Sequence, residues 1–135
     1  MSTAPTDKQP PFDAHAFPQE LLDAQRRAAE LHAEIHEMQK RLPWSREPQP
    51  GWEAVTEQGR ERAGRAPSPG WDPDDAKAYD KLQEDRLEAT AFVNTHKWWR
   101  TCRENGVEGP ALVAARQALK HAKGAVLQEA DEQTA

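Results

Sequence analysis

The stretch PQELLDAQRRAAELHAEIHEMQKRL, residues 18–42, carries apolar side chains at Leu21, Ala24, Ala28, Leu31, Ile35, Met38 and Leu42. Their spacing alternates between three and four residues, which brackets the helical turn and puts all seven on one stripe of an α-helix. Pro18 suits the first turn, and Glu20 complements the positive end of the helix. Pro43 disfavours helical backbone at the residue before it, so the helix is predicted to stop at Leu42. The stripe reads as a core-facing seam. The competing reading is a two-stranded coiled coil, which the two alanines in the heptad weaken. A monomer is the expectation.

Working outward, a second helix is predicted over 73–103. Asp72 is a good N-cap, Pro73 fits the first helical position, and Asp74 and Asp75 suit the helix dipole. A third is predicted over 110–130, with Leu112, Ala115, Leu119, Ala122 and Val126 on its apolar face. The short Gly106–Pro110 turn between them predicts an antiparallel helical hairpin. Residues 43–72 form a long connector holding an internal repeat: Pro48-Gln-Pro-Gly-Trp52 recurs as Pro67-Ser-Pro-Gly-Trp71. Pro-x-Pro favours extended backbone and the glycine permits a turn, so each tryptophan is offered to an apolar surface. A short helix around 53–62 would be weak because of Gly59. The polar, proline-rich residues 1–16 read as a disordered tail, and 131–135 as a frayed end. The expected fold is therefore all-α: one helical domain over 17–130, with three principal helices and a Trp-anchored connector.

Composition agrees with a thin core. Leu, Ile, Val and Phe together number 18 in 135 residues, and 30% of residues are charged. Abundant alanine and five tryptophans offset the shortage of aliphatic side chains. The net charge of −5 is mixed and modest, so charge alone names no nucleic-acid or membrane partner. A single cysteine, Cys102, forbids an intramolecular disulfide and suits a reducing cytoplasm. No apolar run reaches the roughly 20 residues of a membrane span, and the polar start of the chain is unlike a signal peptide.

Four groups of residues carry a resemblance: Leu42-Pro-Trp-Ser-Arg-Glu-Pro48, the two Pro-Gly-Trp copies, Thr95-His-x-x-Trp99, and Gly109-Pro-x-Leu-Val-x-Ala-Arg-Gln-Ala-Leu-Lys-His-Ala122. As a set, over residues 20–125, they resemble short uncharacterised proteins of Streptomyces and related actinobacteria. The resemblance implies an actinobacterial source and no assigned activity. The chain departs from it in having Trp98-Trp99 where one aromatic is expected.

Chemistry-bearing motifs are sparse. His32 and His36 stand one helical turn apart, but the glutamate between them is not adjacent to His32 as a zinc-protease motif requires, and no third ligand is near; no metal and no cofactor are expected. His96, Cys102 and His121 would need to converge for nucleophilic catalysis; His96 reads better as a buried, hydrogen-bonded residue and Cys102 as a small buried thiol. No phosphate loop or nucleophile elbow is present. The expectation is a non-catalytic interaction or adaptor protein, docking an unknown protein through Leu87, Ala91 and Trp98 with Lys97 and Arg100 as rim. The alternative is a weak nucleic-acid-associated protein using Lys97, Arg100, Arg103, Arg116, Lys120 and Lys123.

Overall fold

The helical period of 18–42 becomes helix α1, Gln19–Arg41, in the computed structural model, which describes residues 11–127. Leu21, Leu31, Ile35, Met38 and Leu42 are all buried, and Ala24 and Ala28 are half-buried. The stripe is thus spent inside this chain. Helix α2, Pro73–Asn94, starts as its sequence dictates: the Asp72 carboxylate accepts the Asp74 N–H at 2.9 Å. Two shorter helices follow, α3 at Lys97–Glu104 and α4 at Pro110–Leu119. The chain falls into two compact units, the first made of the segments that flank Leu31–Leu87 and the second of Leu31–Leu87 itself.

The first unit holds the start of α1, the end of α2, and α3 and α4. Its core is Leu21, Val93, Trp99, Cys102, Ala115 and Leu119, with Ala14 and Ala125 closing it. The helix expected over 73–103 is interrupted at Thr95-His96. The Thr95 hydroxyl donates back to the Ala91 carbonyl at 2.7 Å, and His96 adopts extended backbone as the N-cap of α3. Both side chains compete for backbone groups that a continuous helix would use. The helix expected over 110–130 ends at Leu119; turns follow, with Gly124 at φ 90°, and residues 128–130 lie outside the described part. Residues 12–17, read from the sequence mostly as tail, pack instead: Ala14 is buried, and Phe12 and Phe17 lie against the core.

The second unit corrects the all-α expectation. Residues 46–71 form a β-ribbon whose tip is a two-stranded antiparallel sheet, β1 at Val55–Glu57 and β2 at Arg60–Arg62. Glu57 pairs with Arg60 across a turn in which Gln58 and Gly59 have φ of 51° and 78°. Two positive φ values mark the hairpin turn whose twist matches paired strands. That turn replaces the weak helix considered for 53–62. Below the tip, Trp52 pairs with Arg65, Gln49 with Ser68, and the Trp71 N–H reaches the Arg46 carbonyl at 2.9 Å. Around Gln49 and Ser68 the prolines limit the pairing. In Pro48-Gln49-Pro50 and Pro67-Ser68-Pro69 only the middle residue has an N–H to donate. Those two residues face each other and exchange bonds of 2.9 and 2.8 Å. The sequence repeat is therefore the two sides of one ribbon.

The tryptophans hold the ribbon through their indole N–H groups. Trp44 donates to the Ala66 carbonyl at 2.8 Å, Trp52 to Ala63 at 3.1 Å and Trp71 to Pro43 at 2.8 Å. Trp71 also packs edge-on against Tyr79 of α2 at 4.9 Å. Trp52 stays 53% exposed, so it clamps the opposite strand rather than filling an apolar socket. Arg46, cation-on-ring with Trp71, makes a bidentate pair with Asp80 at 2.8 and 2.7 Å.

Candidate functional site

Helix α3 sets the site, and Trp99 sets α3. The Trp99 ring is 2% exposed and its N–H donates to the Val93 carbonyl at 2.7 Å, which ties α3 to the last turn of α2. His96 fixes the helix start. Its Nδ1 accepts the Trp98 backbone N–H at 2.9 Å, so the ring proton sits on Nε2, which donates to the Glu20 carboxylate at 2.9 Å. Both nitrogens are engaged, as expected of a buried structural histidine. The Thr95-His-x-x-Trp99 motif is thus a helix break, a cap and an anchor.

With the start and the buried face fixed, Lys97, Arg100 and Arg103 recur every three residues along the exposed side of α3. From α4, Arg116 lays its guanidinium over the Trp99 ring at 4.6 Å and donates to the Asn94 carbonyl at 3.4 Å. These four cations line a single groove of about 220 Å³ beside His96 and Trp99. No carboxylate lines it. Among the described residues, none of the four has an ion-pair partner. The groove brings Arg116 of α4 to all three α3 cations. Lys120 and Lys123, the remaining nucleic-acid candidates, are exposed but do not line the groove.

The apolar docking patch is not assembled in the same way. Trp98 is half-buried, stacked on Phe12 at 5.4 Å, with its N–H donated to the Ala14 carbonyl at 3.1 Å. Ala91 is exposed, and Leu87, 61% exposed, belongs to the other unit. Of the five patch residues, Lys97 and Arg100 alone enter the groove. Phe92, which the patch omitted, is exposed with its edge on His96 at 5.4 Å.

Cys102 is fully buried, and burial raises its thiol pKa although Arg103 and Arg116 oppose the shift. His121 is exposed. His32 and His36 are exposed on α1, and no cluster of three metal-ligating side chains occurs among the described residues. No helix among them is long and apolar enough to cross a membrane.

The model of DUF8825, a domain family of unknown function, matches residues 20–122, and the chain belongs to that family. The match includes every residue that lines the groove. No curated protein and no solved structure matches the chain.

Proposed function

We infer that this DUF8825 chain is a non-catalytic interaction protein, and that its docking surface is the cationic groove of Lys97, Arg100, Arg103 and Arg116. One observation carries the reading: four cations from two helices line one groove with no acid among them, on a chain of net charge −5. Like charges held together without counter-charge raise the local potential and favour an anionic partner. Binding rather than catalysis is favoured because the His96 nitrogens are both committed to structure and the Cys102 thiol is buried. The buried α1 stripe favours a monomer. A lone, buried thiol and the actinobacterial resemblance favour a cytoplasmic setting in such an organism. A nucleic-acid partner, the alternative drawn from the sequence, would use these four cations together with Lys120 and Lys123.

The test is binding of pyranine, a trisulfonated fluorescent dye, followed by anisotropy. Wild-type protein should bind it more weakly as salt rises. The Arg100→Gln/Arg103→Gln variant should lose most of that binding, while Lys120→Gln/Lys123→Gln should keep it. Equal loss in the two variants would mean diffuse attraction, and the groove would not be the docking surface.

A further inference from the structure

We propose that the groove recognises a phosphate monoester carried on a serine or threonine of a partner protein; this rests on the groove being the docking surface. The charge argues for phosphate over carboxylate. A phosphorylated side chain brings a charge of about −1.5 to −2 and three acceptor oxygens, where a carboxylate brings one charge and two oxygens. The larger anion can engage more of the four cations at once, and guanidinium groups match its oxygens in pairs. Arg116 is already held in place by the Trp99 ring and the Asn94 carbonyl, so little side-chain freedom is lost when it binds.

The size and surroundings of the groove select the carrier. At about 220 Å³ and open to solvent, it is smaller than the roughly 300–1,000 Å³ pockets that enclose whole small molecules. It suits a phosphate arriving on a tether. Single-stranded nucleic acid needs open aromatic faces for its bases as well as cations for its phosphates. The one aromatic side chain lining the groove apart from the His96 imidazole is Trp99, which is 2% exposed and lies under Arg116. Duplex nucleic acid needs phosphate contacts over a broad surface. Here four cations line the groove on a chain that is net negative, which disfavours a long polyanion.

The experiment measures anisotropy of labelled peptides in which one central serine, in an otherwise neutral segment, is free, phosphorylated or replaced by glutamate. Free O-phosphoserine and a single-stranded oligonucleotide serve as competitors. The phosphopeptide should bind at least about tenfold tighter than the glutamate peptide. The free-serine peptide should not bind. Arg100→Gln/Arg103→Gln, with circular dichroism confirming its fold, should weaken phosphopeptide binding by about tenfold or more, and Lys120→Gln/Lys123→Gln should leave it unchanged. Equal binding of phosphoserine and glutamate peptides would overturn the phosphate assignment while leaving the anionic groove intact. Competition by free O-phosphoserine as strong as by the phosphopeptide would overturn the protein carrier, and tighter binding of the oligonucleotide would overturn it in favour of nucleic acid. Absence of binding by peptides and pyranine alike would overturn both the groove and its ligand.

Discussion

A thiol with no exposed surface meets neither water nor reagents, and Cys102 is such a thiol. Loss of hydration disfavours the thiolate, which is why burial lifts its pKa despite Arg103 and Arg116. Because the folded value lies above the ordinary one of about 8.5, this group leaves stability intact below that pH and erodes it as pH rises through the folded value. Native protein at about pH 8 should therefore react with a disulfide reagent only as fast as it unfolds, and urea should release a full equivalent at once. Prompt stoichiometric labelling without denaturant would show that the thiol is accessible. His96 follows the same logic of burial with both polar atoms paired. Its burial was legible because a continuous helix over 73–103 would set it on one face with Leu82, Ala89 and Val93. Its capping role was not, because histidine ranks low among the residues that announce a helix start.

At the level of elements, the ribbon differs most from the sequence reading. Gly59 was recognised as unfavourable to a helix, and the structure puts it in the hairpin turn that this preference allows. Close approach of the two strands imposes a second demand on glycine. A Cβ on Gly64 would lie 2.6 Å from the Ala54 nitrogen and 2.9 Å from the Trp52 oxygen, both rigid backbone atoms. Gly64→Ala should destabilise the protein by about 1–3 kcal/mol, the range for overpacking, and make residues 46–71 protease-sensitive. Gly106→Ala meets no atom within 4 Å and carries only the cost of its left-handed backbone, about 1–2 kcal/mol, with the ribbon still resistant. Limited proteolysis with urea denaturation of both variants checks this. A ribbon as resistant in Gly64→Ala as in wild type would refute the close-packed account.

At the scale of the whole chain, charge is unevenly spread along the sequence. Lys97 to Lys123 contains six bases and two acids, although the chain as a whole is acidic. In the ribbon unit the charges pair, most closely at Arg46–Asp80, where the guanidinium holds the Asp80 carboxyl below its ordinary value. A depressed carboxylate stabilises the fold above its unfolded pKa of about 3.9, and that contribution fades as pH falls through the lower folded value. Both partners are exposed, so the effect is small and screened by salt. Asp80→Asn should lower the melting temperature slightly at neutral pH, and the gap to wild type should close below about pH 3.9. A gap that persists undiminished at pH 2 would place the role of Asp80 outside this ion pair.

The helices were legible because helical order is local. Spacing of three and four, a capping Asp72 and the flanking prolines located α1 and the start of α2 to within a residue or so. The break at Thr95-His96 was not legible, since both residue types also occur inside helices and the contact that holds the His96 ring, on the Glu20 carboxylate, comes from far along the chain. The Pro-Gly-Trp repeat was visible as a repeat, but that its copies pair with each other is a long-range backbone match that side-chain period cannot reveal. The groove shows the same division. The sequence showed Lys97, Arg100 and Arg103 in one predicted helix. Only packing of α4 against Trp99 delivered Arg116 to them, because convergence from separate helices is set by the shape of the core between them.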